Sequence, residues 1–263
     1  MVGERDLVLK KIAKDIRSCA RQYLHGSRIS FREISYLPTL IIAPHPDDET
    51  LGVGGLIAFK KEKKVPVKVI FFTSGEASHI SCCNISKEDV ASVRRQQALG
   101  ATAYLGLNSG EIVWQDLQDG KIPCDGESRF GGSVRDLAEI FQNEKPAEIY
   151  CPHPNDGWAD HRAATEIILS AVQVSRIETR IIYYIIWAWY NAPSTSKRFF
   201  NWDNAWKLNI GPVFEKKISA ICYYMDGPKA PCGYPYCGKL PWAVIHCAKR
   251  QAEIFIDGGT PNH

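Results

Sequence analysis

Leu40-Ile41-Ile42-Ala43-Pro44-His45-Pro46-Asp47-Asp48-Glu49 is the stretch from which the rest of the chain can be read. The run from Leu40 to Ala43 is short, apolar and bounded by Pro38 and Pro44, the pattern of a buried parallel strand. One imidazole and two adjacent carboxylates stand directly behind it. Open α/β sheets bind ligands at the carboxyl ends of their strands, so this turn is in position for chemistry. Crowded carboxylates repel one another, and a divalent metal would take up their charge. His and Asp supply the nitrogen and oxygen that zinc accepts, and a free neighbouring carboxylate can take a proton from water.

Outward from this turn, strands and helices alternate. Towards the N-terminus, Leu7, Val8, Ile12, Ile16, Ala20 and Tyr23 recur at helical spacing over 6–24, which predicts an amphipathic helix ending near His25-Gly26 and packed outside the sheet. Residues 1–37 thus form an N-terminal helical extension. Gly52, Gly54 and Gly55 open the helix after the turn and let it lie close to the sheet, although this short glycine pattern is a weak nucleotide signal. A second strand is expected over 65–72, helices over 87–100, 133–143 and 162–174, and strands over 148–151 and 180–187. The region 107–130 reads as loop. Such alternation predicts a Rossmann-like α/β fold, a parallel sheet flanked by helices. Residues 188–263, rich in Trp, Tyr, Pro and Gly, read as a loop- and strand-rich C-terminal lobe on the same core, making 1–263 a single domain.

A second constellation follows the strand at 148–151. His153, Asp156, Asp160 and His161 lie within nine residues just before a helix. Both polar turns therefore fall on the same edge of the sheet. His45, Asp48 and His161 would make a three-ligand zinc site, one ion per chain, with a position open for water. Asp47 is then the nearest unliganded carboxylate and the natural general base. Asp160 is suited to orient a histidine from behind. Each turn also has a structural reading: His45 as a core histidine, and Asp47-Asp48 or Asp160 as helix caps favoured by the helix dipole.

Composition narrows the classes. The chain has 263 residues, 45% hydrophobic and 23% charged, with a formal net charge of +3. That balance suits a globular domain and gives no argument for nucleic acid or an anionic membrane. No apolar run approaches a transmembrane length, and the first twenty residues carry charges throughout with no apolar signal core, so a cytoplasmic location is expected. The nine cysteines are scattered, without CxxC spacing. Cys232 and Cys237 could clip a metal but read better as incidental thiols of a Gly/Pro-rich loop, as do Cys82 and Cys83. Lys60 to Lys64 reads as a solvated helix end. The aromatic stretch Tyr183–Tyr190, with Trp202 and Trp206, reads as core or as a sugar-stacking wall.

The segment Ala43 to Glu49 resembles the signature of the LmbE-like (PIG-L) zinc-dependent de-N-acetylases, and the likeness runs from about residue 39 to residue 255. Thr73-Ser74-Gly75-Glu76, the helix around Arg94, the loop at Asp119, Tyr184 with Trp187, and Glu253-Ile254-Phe255 follow in family order. The resemblance implies hydrolysis of an N-acetyl group from an N-acetylglucosamine-type sugar conjugate. It implies zinc on His45, Asp48 and His161, Asp47 as base, Asp160 as the residue tuning a histidine, and Arg94 and Asp119 at the substrate. Gln97 stands where the family usually has Glu. Trp158 stands where it often has the histidine that stabilises the oxyanion, and an indole donates one N–H but relays no proton. His153 is the nearest replacement; His79 and His246 are more distant. Two other readings stay open: a zinc-dependent amidase on a non-sugar conjugate, and a zinc- or sugar-binding protein with weakened catalysis. A Rossmann nucleotide site is disfavoured, because the carboxylates of the first turn would repel a pyrophosphate. Oligomeric state is open, a homo-oligomer included.

Overall fold

The computed structural model describes residues 2–191 and 199–259; residues 192–198 and 260–263 of the predicted C-terminal lobe lie outside the described residues. Five parallel strands, β1 (Thr39–Ala43), β2 (Val67–Thr73), β3 (Ile112–Leu117), β4 (Glu148–Pro152) and β5 (Arg180–Tyr184), are continued by β6 (Ala205–Asn209) and β7 (Ala252–Gly259), with β7 antiparallel to both β5 and β6. The spatial order is β3-β2-β1-β4-β5-β7-β6. The chain winds outward from β1 in one direction and from β4 in the other, so the crevice between them is the topological switch point of the sheet. Both polar turns emerge there.

Alternation along each strand divides the core into two layers. Ile41, Ala43, Val69 and Phe71 face α2 (Asp48–Glu62), α3 (Lys87–Tyr104) and α7 (Phe214–Asp226). Leu40, Ile42, Ile70 and Phe72 face α4 (Phe130–Glu144) and α5 (Ala159–Ser175). Among the described residues the other α-helices are α1 (Val2–Arg28), α6 (Ala188–Asn191) and α8 (Trp242–Ala248). Every residue of β1 and β4 is buried, as expected for central parallel strands covered on both faces.

Several sequence expectations need correction. Helix α1 runs on to Arg28, and its apolar stripe faces outward: Leu7, Ile12, Ile16 and Tyr23 are exposed, whereas Asp15, Ser18 and Gln22 are buried. Polar bonds make that contact, with Asp15 accepting from the Ala243 N–H and Gln22 donating to the Cys247 carbonyl. The region taken as loop contains β3, whose mixed Ile-Val-Trp-Gln-Asp-Leu composition suits a half-covered edge strand. Strand β5 stops at Tyr184 instead of Trp187, because the next backbone N–H groups turn away to Asp156. Lys60 is not solvated: its ammonium is fully buried against Glu148 at 2.8 Å and also reaches Ser35, Thr39 and the Leu37 carbonyl.

Helix α2 is two helical pieces joined at Val53, whose φ of −138° is not helical. The break frees the N–H groups of Gly55 and Leu56, and both donate to the buried Glu253 carboxylate of β7 at 2.7 and 2.8 Å. Lys217 of α7 neutralises that carboxylate at 2.6 Å. A Cβ on Gly52 would lie 2.6 Å from the Tyr184 ring, and one on Gly55 2.6 Å from Ile210, so the close approach of helix to sheet does require glycine. Among the described residues no helix is long and apolar enough to cross a membrane.

Candidate active site

The turn after β1 is held tightly. Asp47 precedes α2 at φ 117°, a region costly for a residue with a Cβ and typical of functional turns. Its carbonyl accepts from Thr50 and Leu51, and its N–H donates to Glu49 at 2.9 Å. Glu49 also accepts from Thr50 and, at 3.0 Å, from Tyr224 of α7; burial pushes its carboxyl up to about 7.

His45, Asp48 and His161 come together across the crevice. Asp48 Oδ2 lies 3.2 Å from His45 Nδ1 and 3.3 Å from His161 Nε2. Each ring turns its other nitrogen to carboxylates. His161 Nδ1 is 2.8 Å from Asp156, and His45 Nε2 is 3.1 Å from Asp160 and 3.2 Å from Asp119. With the outer nitrogens donating to carboxylates, the inner ones would give their lone pairs to a bound metal, the arrangement of metal-bound histidines. His161 Nε2 is buried with no hydrogen-bond partner. Bonds of ~2.0–2.1 Å in a tetrahedral site place ligand atoms about 3.4 Å apart, close to the two spacings seen here. The donor set fits a divalent metal. A second trio, His45, Asp119 and Asp160, shares the same imidazole from its outer side.

Burial pulls both imidazoles towards neutrality, but the carboxylates outweigh it; Asp48 and Asp156 push His161 up to about 9. The same histidines hold Asp48 well below the usual carboxylate range despite its burial. Asp47 differs. Burial raises its carboxyl to about 8, although Arg94 pulls it down.

The remaining predicted residues divide. Arg94 is buried beneath Asp47, donating to Asp47 Oδ2 at 3.2 Å, to the Gly75 carbonyl at 2.9 Å and to the Pro46 carbonyl. It grips the candidate base directly. Asp119 meets His45 and accepts from the Ala77 N–H at 2.8 Å, while its own N–H donates to Glu76. Asp160 accepts from the Gly120 N–H at 2.8 Å besides facing His45. Trp158 is 47% exposed at the start of α5, edge-on to Trp187 with ring centroids 5.3 Å apart. His153 stands among Phe200 and Tyr183, accepts from the Asn155 N–H, and has its pKa lowered to about 4 by burial. Its carbonyl accepts from the Asp156 N–H at 2.9 Å. His246 stacks on Trp242, and His79 joins a cysteine cluster. Trp206 is core, packed on Phe255.

Sequence reasoning gave no role to Asp156, the fully buried partner of His161. Its sole signal was membership in the second polar turn. Glu49 and Tyr224 were also missed, since a tyrosine 175 residues away carries no local sign of reaching this turn.

The family profile described as "PIG-L: GlcNAc-PI de-N-acetylase" matches residues 40–172, from β1 through most of α5. A probable N-acetyl-alpha-D-glucosaminyl L-malate deacetylase 2 of Bacillus subtilis is 28% identical over 144 residues, covering 54% of this chain and 63% of the relative. This chain therefore spans less than two thirds of that relative's length. N,N'-diacetylchitobiose deacetylase from Pyrococcus horikoshii superposes with a TM-score of 0.55 at 23% identity, over 71% of this chain and 68% of that one. GalB, the 4-carboxy-2-hydroxymuconate hydratase of Pseudomonas putida KT2440, superposes with a TM-score of 0.58 at 19% identity, over 71% and 78%. At these identities the superpositions speak for the fold alone.

Proposed function

We propose, from the premise that this chain belongs to the PIG-L (GlcNAc-PI de-N-acetylase) family, that it is a metal-dependent hydrolase of an N-acetyl amide on an N-acetylglucosamine-type sugar conjugate, releasing acetate and a free amino sugar. One observation carries the reading: two imidazoles, each backed by carboxylates, turn their inner nitrogens to Asp48 while Asp47 stands beside them. A purely structural metal site would have no use for that extra carboxylate. The Bacillus relative is named as a probable deacetylase of N-acetyl-alpha-D-glucosaminyl L-malate.

His45, Asp48 and His161 would hold the ion, with zinc favoured by the mixed nitrogen and oxygen donors. The chemistry supplied by such an ion is Lewis acidity towards an amide carbonyl and a lowered pKa for a water at the site. The chain's own residues do the rest. Arg94 holds Asp47 Oδ2, leaving Oδ1 to accept the proton of the attacking water. Asp47 then returns that proton to the leaving nitrogen. Asp156 fixes the His161 tautomer, and Asp160 with Asp119 fixes that of His45. The exposed Trp158, set edge-on to the half-buried Trp187, offers an aromatic face on which a sugar ring can stack.

A second reading, weakened catalysis in a zinc- or sugar-binding protein, is favoured by one feature: Trp158 stands where the family often has an imidazole, with its ring edge-on to Trp187. Acetate release decides between them. Protein of known metal content would be given N-acetylglucosaminyl malate, diacetylchitobiose and N-acetylcysteine. Acetate from a sugar, abolished by chelation, supports the first reading. Acetate from the thiol compound alone would move it to a non-sugar amidase, and bound metal without turnover supports the second. Asp47→Asn should keep its metal and lose about 10²- to 10⁴-fold in kcat, the usual worth of a general base. An unchanged kcat would remove Asp47 from that role.

A further inference from the structure

We propose that His79, Cys82, Cys83 and Cys232 form a second metal site, a closed structural zinc centre separate from the His45 trio. His79, Cys82 and Cys83 lie on the loop between β2 and α3, and Cys232 on the loop between α7 and α8. One ligand atom from each falls within a 4.8 Å cluster. The Cys82 sulfur is 3.8 Å from that of Cys83 and 3.5 Å from that of Cys232. His79 Nδ1 lies 3.1, 3.4 and 3.9 Å from the sulfurs of Cys82, Cys232 and Cys83.

These spacings match the edges of a tetrahedron around zinc. Bonds of ~2.3 Å to sulfur and ~2.1 Å to nitrogen place two sulfurs about 3.8 Å apart and sulfur from nitrogen about 3.6 Å. They do not match a disulfide, whose sulfurs stand ~2.05 Å apart. The histidine is prepared for ligation. His79 is 1% exposed, and its Nε2 lies 3.0 Å from the Pro235 carbonyl. A carbonyl only accepts, so Nε2 carries the proton and Nδ1 keeps its lone pair among the three sulfurs. Three thiolates with one neutral imidazole form a recognised structural zinc set, with no position left for substrate.

The loop bearing Cys232 is shaped to present it. The Ala230 N–H donates to the Tyr234 carbonyl and the Gly233 N–H to the Ala230 carbonyl, with Gly233 at φ 82°. Ser78 Oγ adds a bond to the Tyr236 carbonyl at 2.8 Å. Two residues before His79, the Ala77 N–H donates to Asp119, which faces His45. A metal here would staple the two loops together and steady the wall of the active site. Local spacing hid the cluster: two adjacent cysteines and one 149 positions later form no familiar motif, and Cys237, the sequence partner of Cys232, is buried elsewhere.

The test uses the full chain, loaded with zinc and desalted without chelator. Metal analysis should find close to two zinc ions per chain, falling by one in Cys232→Ser and unchanged in Cys124→Ser. Cobalt-loaded wild type should show an intense near-ultraviolet thiolate-to-cobalt band. Asp48→Asn should keep that band and Cys232→Ser should lose it. Because the His45 trio contains no sulfur, the band reports this site whatever becomes of the proposed deacetylase activity. If Cys232→Ser fails to fold, the wild-type cobalt spectrum decides. Wild type lacking the band, or a Cys82–Cys232 disulfide in the unreduced peptide map of the zinc-loaded protein, would overturn the proposal.

Discussion

One oxygen of Asp156 accepts the N–H groups of Ile186, Trp187 and Ala188 at 2.9 to 3.0 Å, and the other meets His161 Nδ1 at 2.8 Å. The carboxylate thus ends β5 and sets a histidine tautomer at once. Asp156→Asn separates these duties. The amide oxygen can still accept the three N–H groups, but the amide nitrogen must donate to Nδ1, moving the ring proton to Nε2, where a metal would bind. Metal affinity at the His45 trio should fall about 10- to 100-fold while the melting temperature changes little. Competition with a chromophoric chelator measures the first quantity and a thermal melt the second; equal affinities would mean the tautomer is set elsewhere. His153 supplies a prediction of another kind. Its folded pKa of about 4 lies below the ordinary 6.5, so between those values the unfolded chain binds more protons and stability falls as pH falls. A shift of that size corresponds to at most about 3 kcal/mol. Urea unfolding from pH 7 to pH 4.5 should show a steeper loss for wild type than for His153→Phe, and parallel curves would refute the burial argument.

At the scale of elements, helix α2 shows where sequence patterns reach and where they stop. The strand Leu40–Ala43, the turn behind it and the glycine-opened helix are legible because each depends on local order: an apolar run, prolines, a polar cluster, small residues. The break at Val53 is not legible, because the carboxylate that takes up the freed N–H groups is Glu253, 198 residues beyond Gly55. The inverted α1 fails for a related reason. Periodicity identifies an apolar face, but bonds from Asp15 and Gln22 to α8 decide which face packs. The meeting of His45, Asp48 and His161 was readable because both turns end strands, whereas the grip of Arg94 on Asp47 needed the tertiary path of α3. Glu253→Gln tests the capping argument. It leaves the Lys217 ammonium buried without a counter-charge, which costs about 3–5 kcal/mol. Adding Lys217→Met should recover most of that loss, because removing both charges of a buried pair is often nearly neutral. Chemical denaturation of the three variants measures the cycle; no recovery in the double variant would mean that Glu253 acts chiefly through the N–H groups of Gly55 and Leu56.

Across the whole molecule, the C-terminal region contributes to the sheet on which the site is built. Strand β7 lies between β5 and β6, pairing Tyr184 with Phe255 on one side and Trp206 with Phe255 on the other. The same strand carries Glu253 into the break of the helix that begins at Asp48. A separable lid would make neither connection. Ending the chain at residue 250 should therefore strip β6 of its partner, leave Lys217 buried without its carboxylate and free two N–H groups behind the Asp47 turn, so that no cooperatively folded protein remains. The intact chain should unfold in one calorimetric transition whose van't Hoff and calorimetric enthalpies agree. Two resolved transitions, or a truncated chain that still melts sharply, would show that the region from 188 onward folds as a unit of its own. A single transition joined to collapse of the truncated chain would mean that the Asp47 turn, the switch-point crevice and the last strand stand or fall together.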